Sequence, residues 1–328
     1  MWSKSLYSSD PINIKNETTD SARPECPKCR NNKPVIHGYQ NNGLARYRCK
    51  QCSITYNQLT GTPLARLRTP IKDVTESIDM FARGLSQADI ARIKHKTEKT
   101  ISNWVFKTMV QCLKFNNYFL KGIPAYFIQF DELHSFVRKK SNKSIIWTAI
   151  EAFSRLMIAF VIGKWTKKSA KKMLELTKSR LQTNPIAITT DGLGRYTELV
   201  PLFFPTSLYA QVIKKYKKKR LVKVELKPIN GTLEKITQVT EGMGLGRTVN
   251  TAYVERQNLT VRNTVNSLAR KTWCVVKKHI AAIGKMHVHQ AFYNFVKMHM
   301  RLEGRTPAMA AGVTDRVWNW HELLTYKL

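Results

Sequence analysis

Acidic residues are scarce in this chain: 22 Asp and Glu stand against 55 Lys and Arg in 328 residues, a formal net charge of +33. Charge this lopsided repels itself and favours a polyanionic partner, nucleic acid above all. The competing classes are a merely basic soluble protein and one resting on an anionic membrane surface. Long apolar runs are also missing. None approaches the ~18 residues of a spanning helix, which excludes a transmembrane segment. The start lacks the basic-then-apolar order of a secretory signal. Cysteine is limited to six residues, four of them in two tight pairs, with Cys112 and Cys274 single in apolar contexts. That excludes a disulfide framework and implies a reducing compartment. Internal repeats are absent. Hydrophobic residues nonetheless make up 43% of the chain, enough for a core, so wholesale disorder is excluded as well. The length fits two or three domains.

Residues 1–24 are polar and aperiodic and read as a flexible tail. A cysteine-bounded unit follows over 25–60, then helical periodicity over 66–115. After Gly122-Ile123-Pro124 the pattern turns β-rich. Ala125–Asp131, Ser144–Ala152 and Leu156–Gly163 read as strands, Ser169–Leu181 as a helix, and Pro185–Thr190 as a strand ending at Asp191. Three strands, a helix and a strand make a mixed α/β domain. Within an insertion of about 205–250 lie a basic run, short β-like pieces (Arg220–Leu226) and a Gly-rich stretch, Gly242–Gly246. Helical patterns then run from Val254 to about Ile280 and from Met286 to Leu302. A C-terminal segment, 304–328, completes the chain.

Cys26 and Cys29 form one C-x2-C pair, Cys49 and Cys52 another, with 19 residues between the pairs. Two such knuckles can present four thiolates tetrahedrally to one Zn²⁺. Val35–Tyr39 and Ala45–Arg48 flank Asn41-Asn42-Gly43, which suits a tight hairpin turn. The unit therefore reads as a zinc ribbon, its metal structural because all four positions are filled. Lys28, Arg30, Arg46, Arg48 and Lys50 make it basic, which suits contact with DNA.

Ile78–Arg92 joins one helix to another through Gly84-Leu85-Ser86, with Ser86 as N-cap. Thr97 caps a third helix in which Ile101, Trp104 and Val105 face inward. Lys99, Thr100, Ser102 and Asn103 face outward, as short polar and basic residues do on a major-groove recognition helix. Three-helix units also exist without DNA, but the charge favours a DNA-binding helix-turn-helix.

Phosphodiester chemistry needs divalent metal held by carboxylates, and two ions about 4 Å apart can serve both the attacking and the leaving oxygen. Asp131 and Asp191 each close an apolar strand. Glu198, Glu225, Glu234, Glu241 and Glu255 all lie downstream as candidates for a third acid. Glu255 stands out because it opens an amphipathic helix. Val254, Val261, Val265 and Leu268 form that helix's apolar stripe, and Glu255, Asn258, Arg262 and Asn266 border it. Glu132 follows Asp131 directly. Strand parity places Asp131 with Gln129 and Glu132 with Ile128 and Phe130. The polar side is the expected metal face, with Glu132 just past the strand and outside the metal site.

Four blocks, DELHSFVRKK, TTDGLGRYTELVP, YVERQNLTVRNTVNSLARKT and RTPAMAAGVTDRVWNW, follow in order behind the ribbon and the helices. Over about residues 24–325 the chain resembles transposases of the insertion sequence 1 family. The resemblance implies a ribonuclease-H-like catalytic domain, about 124–303, with Asp131, Asp191 and Glu255 as an Asp-Asp-Glu triad binding Mg²⁺ or Mn²⁺. It makes Asn258 and Arg262 supporting residues on the third acid's helix. Two departures stand out. His134 occupies a position where relatives often carry Trp, and the Asp191–Glu255 segment is long. That segment holds Lys214, Lys215, Lys217 and Lys218, a run able to track a DNA backbone; Arg270 and Lys271 are further candidate contacts.

The implied activity is binding of terminal inverted repeats, metal-assisted cleavage of 3′ ends, and their joining to target DNA by transesterification. The implied partners are double-stranded DNA and further copies of the chain, at least as a dimer. The implied place is the prokaryotic cytoplasm, at the nucleoid. The competing functions are a non-catalytic DNA-binding regulator, which leaves the acids without purpose, and a simple metal-dependent nuclease, which would not join ends.

Overall fold

Cysteine spacing and one short hairpin dictate the architecture of the first part of the chain. The computed structural model describes residues 23–40, 43–218, 220–246 and 249–328. Most of the expected N-terminal tail, and Asn41-Asn42 of the expected turn, lie outside them. The chain divides into two units, Met1–Gly61 and Thr62–Leu328.

In the first unit, β1 (Val35–Tyr39), β2 (Ala45–Arg48) and β3 (Thr55–Tyr56) form an antiparallel sheet in that order. The two longer strands fall where alternation puts them. The third spans two residues, too few for a period. Gly43, at φ +79°, closes the hairpin by donating its N–H to Gln40 O at 2.9 Å. The buried set is Cys26, Cys49 and Tyr56, with Tyr47 packed against it. A core that small does not fold by hydrophobic burial alone.

The second unit opens with α1 (Ile71–Ala82), α2 (Gln87–Ile93) and α3 (Glu98–Phe119). Ser86 and Thr97 cap α2 and α3, accepting N–H groups from Asp89 (3.1 Å) and Thr100 (3.2 Å). Ile101, Trp104 and Val105 are buried on α3 as the period requires. Helix α3 runs well beyond the outward polar residues, because its second half carries Cys112 and Phe115, both fully buried. Phe115 meets Phe295 and Trp318 edge-on, and Gln111 Nε2 donates to Leu323 O (3.1 Å) and Tyr326 O (2.7 Å). The C-terminal residues thus complete the packing of the helical layer. Gly84, at φ +103°, lies against the backbone near residue 264; a Cβ there would meet Asn263 O at 2.8 Å.

The sheet follows. β4 (Phe127–Phe136), β5 (Lys143–Glu151) and β6 (Met157–Gly163) form an antiparallel meander. Helix α4 (Lys167–Arg180) leads to β7 (Ala187–Asp191), parallel to β4, and α5 (Gly194–Phe203) to β8 (Leu208–Lys217), parallel to β7. β9 (Arg220–Asn230) returns antiparallel, giving the order β6-β5-β4-β7-β8-β9. The elements α6 (Leu233–Gly242), α7 (Ala252–Thr264), α8 (His279–Ala291), α9 (Pro307–Ala310) and α10 (Trp320–Thr325) follow. On one sheet face Phe130 packs on Tyr196 and Phe204, with centroids 6.0 and 6.4 Å away. On the other, Leu133, Ile146 and Phe160 pack with Val261, Val265 and Met286. Burial on both faces explains the near-continuous apolar runs of the central strands, each large side chain contributing about 2–3 kcal/mol.

Three expectations need correction. β4 does not end at Asp131; β5 pairs with it as far as Phe136↔Lys143 and keeps it extended. The helix from Val254 stops at Thr264. Leu268 still reaches the core, but through a 3-10 turn, Asn266–Leu268, with Arg262 donating to the Leu268 carbonyl at 3.2 Å. The last long helix begins at His279 and passes at Phe292 into a π turn, so residues 297–299 leave the helix altogether.

Candidate active site and metal centre

The four paired cysteines converge. Sγ of Cys26 lies 3.5 Å from that of Cys52, and Sγ of Cys29 lies 3.4 and 3.6 Å from those of Cys49 and Cys52. Four sulfurs about 2.3 Å from a tetrahedral ion would stand about 3.8 Å apart, so the cluster fits one ion. Burial opposes the Cys26 thiolate, yet backbone N–H groups of Cys29 and Lys28 bring its thiol down to about 6. Arg46 and Arg48 both point to solvent from β2.

The acidic site forms where β7 stops beside β4. The last parallel pair is Phe130↔Thr190, so Asp131 and Asp191 stand next to each other at the first position beyond it. Asp131 Oδ2 accepts from Asn258 Nδ2 at 2.8 Å. Thr148 Oγ1 donates to Asn258 Oδ1 (3.1 Å) and lies 3.2 Å from Asp131 O. Asp191 Oδ1 accepts the Leu193 N–H at 3.1 Å, turning the chain into α5. Burial, then the charges of Asp191 and Glu255, push the Asp131 carboxyl up to about 6. Burial and Glu255 raise Asp191, against the pull of Lys214. Carboxylate oxygens of Asp131, Glu132 and Asp191 all lie within 4.8 Å of one another, a group that could hold a metal ion.

Glu132 belongs to the strand rather than lying past it, and is 9% exposed. Burial, then Asp191 and Asp131, drive its carboxyl up to about 8. Glu255 takes a different position. It sits in the first turn of α7 and accepts from Lys214 Nζ and Thr251 Oγ1. Its charge is felt at both aspartates.

Gln129, which strand parity only placed on the Asp131 side, ties β4 to the start of α7. Its Oε1 accepts the N–H groups of Tyr253 (3.1 Å) and Val254 (3.0 Å), and its Nε2 donates to Asn250 O (2.7 Å). A lone amide within the apolar run before Asp131 was the available signal, and the structure buries it fully. Arg262 Nη2 donates to His134 O at 3.2 Å. Helix α7 is therefore fastened to β4 at residues 129, 131 and 134. The His134 ring stacks on Trp165, with centroids 4.8 Å apart.

The remaining candidate contacts are scattered. Lys99, Ser102 and Asn103 are exposed on α3, whereas Thr100 is half-buried, its hydroxyl 2.9 Å from that of Thr97. The basic run of β8 is divided: Lys214 pairs with Glu255 and Lys215 with Glu225 at 2.7 Å, while Lys217 and Lys218 stay exposed at the hairpin tip. Arg270 and Lys271 are exposed in the loop after α7. Among the described residues no helix is long and apolar enough to cross a membrane.

No protein-family model and no curated protein matches the chain. Among solved structures it is similar to the cryo-EM structure of a piggyBac transposase synaptic complex with hairpin DNA. That match has 8% identity and TM-score 0.37, over 78% of this chain and 71% of that one. A second is the simian T-cell lymphotropic virus intasome in complex with PP2A regulatory subunit B56 gamma, at 11% and 0.33 over 69% and 74%. A third is endonuclease V from Bacillus subtilis, at 15% and 0.28 over 51% and 92%. Superpositions this loose define neither a shared fold nor a shared activity.

Proposed function

We propose that the chain is a DNA transposase that binds the terminal inverted repeats of an insertion sequence, cleaves 3′ ends and joins them to target DNA. The observation that carries this reading is the juxtaposition of Asp131 and Asp191 on adjoining parallel strands under α7, in a chain of net charge +33. The four sequence blocks that resemble insertion sequence 1 transposases support it, as does the sheet. An antiparallel meander followed by strands parallel to its first member fits a ribonuclease-H-like domain.

Asp131 and Asp191 would hold Mg²⁺ or Mn²⁺, with Glu255 as the third acid of the site. The cation, as one ion or two, would supply the Lewis acidity that phosphodiester displacement requires. Raised carboxyl pKa values fit that role, because charges crowded and buried together are relieved by a cation. Asn258 keeps the Asp131 carboxylate in one orientation, and Gln129 and Arg262 keep α7 in place over it. The four cysteines would hold a structural Zn²⁺. Exposed Lys99, Ser102 and Asn103 would read element ends, with Lys217, Lys218, Arg270 and Lys271 on phosphates. Pairing two ends implies at least a dimer, acting on DNA in the cytoplasm.

The test is incubation of the protein with Mg²⁺, labelled element ends and a supercoiled plasmid. Joined products support the transposase reading. Cleavage without joining would reduce it to a nuclease, and a bound but intact complex to a regulator.

A further inference from the structure

One buried acid has no part in that scheme. Glu132 points to the α5 face of the sheet, opposite Asp131, yet its carboxylate reaches within 4.8 Å of those of Asp131 and Asp191. The register explains how. β7 stops at Asp191, so β4 has no neighbour on that edge at Glu132, and a side chain of glutamate length can turn round the strand end.

The surroundings are built around this acid. Oε1 of Glu132 is buried and meets no donor. The Tyr196 hydroxyl, on a fully buried side chain, is equally without a hydrogen-bond partner, as is buried Nη1 of Arg195. Both side chains come from the first turn of α5, and both act electrostatically on Glu132, though no hydrogen bond of ordinary geometry joins them to it. The Arg195 guanidinium lies over the Trp165 ring at 5.5 Å. With all three ionised, the carboxylates against one guanidinium leave two negative charges, since Lys214 is already paired with Glu255. Unpaired charge in a partly buried cluster is costly unless a proton or a counter-ion joins it. One divalent cation balances two charges.

We propose that Glu132 is a ligating carboxylate of the same cation site as Asp131 and Asp191, positioned from the α5 side by Arg195 and Tyr196. The proposal rests on the metal-dependent reading of that site. It makes the DNA-free site a cluster of acids from β4 and β7, with Glu255 held apart by Lys214 and Thr251.

The experiment is calorimetric titration of the full chain, zinc-loaded and free of DNA, with Mn²⁺ at pH 7.5. Glu132→Gln is expected to weaken Mn²⁺ binding about tenfold or more, and Glu255→Gln to leave it within about threefold. Parent-like affinity in Glu132→Gln, or the larger loss in Glu255→Gln, overturns the proposal. Should Glu132→Gln fail to fold, iron-mediated backbone cleavage of the unaltered chain decides the same question. Cuts beside residues 132 and 191 support the site, and cuts confined to the start of α7 overturn it. Mn²⁺ binding that depends on Glu132 in a protein unable to join ends would remove the transposase reading and leave this one standing. Joining with Mn²⁺ affinity unchanged in Glu132→Gln would do the reverse.

Discussion

Replacing an acid of the cluster between β4 and β7 by its amide should make this protein more stable. Asp131 is the clearest case, because its environment raises its carboxyl from 3.8 to about 6. Ionising it in the folded chain is thus harder than in the unfolded one by about 3 kcal/mol. The sign follows from the direction of the shift. A carboxyl raised on folding favours the folded state while protonated, below about 3.8, and that contribution is lost as pH rises through about 6. Asp131→Asn keeps the shape and leaves Asn258 a carbonyl to donate to, but carries no charge. Without divalent cation at pH 7.5 it should gain about 3 kcal/mol, near 6 °C in melting temperature for a unit this size. At pH 4.5 the gain should fall to about a third of that, since most of the parent's carboxyl is then neutral. Saturating Mg²⁺ should narrow the gap by stabilising the parent selectively. Differential scanning calorimetry at both pH values, with and without Mg²⁺, measures all three. A variant no more stable than its parent at pH 7.5, or one whose advantage ignores pH, would refute this account of the site. End-joining should be abolished throughout.

Zinc analysis should return one ion per chain, and Cys49→Ser should lose it; metal-free parent protein would contradict the ribbon. Ser86→Ala removes the cap that accepts the Asp89 N–H and should cost about 1 kcal/mol, read as a fall of a few degrees in melting temperature. Gly84→Ala forces a side chain into φ +103° and against Asn263 O; a cost of about 2–3 kcal/mol is expected, and an unchanged melting temperature would contradict the close approach. Lys214→Met breaks a half-exposed ion pair with Glu255 and should alter stability by less than about 1 kcal/mol. Joining should nevertheless change, and a variant identical to the parent in both respects would leave Lys214 no role at the site.

Much of this arrangement is legible in the residues. The cysteine spacing, the strands Val35–Tyr39 and Ala45–Arg48, and the caps Ser86 and Thr97 stand where local rules put them. Asp131 and Asp191 are found because apolar runs lead into both. What escaped depends on partners far along the chain. β4 continues past Asp131 because β5 holds it, and no local signal distinguishes a strand that loses one neighbour from one that ends. Helix α5 carries Gly194 and Pro201, both poor helix formers, so its sequence does not announce it. The stripe Val254–Leu268 keeps helical spacing across a break, because a 3-10 turn delivers Leu268 to the same core. Parity placed Asp131 and Glu132 on opposite faces, and could not foresee that β7 stops short enough for both to meet.

The bare backbone at Gly84 has a mechanical meaning. The turn between α1 and α2 rests on the final residues of α7 with no side chain between them, and α7 is pinned to β4 at residues 129, 131 and 134. This is a linkage without play. On the proposed reading, a DNA end that tilted the first two helices would push the end of α7, and that push would arrive at the strand carrying Asp131. On that reading, grip and cut would be geared together.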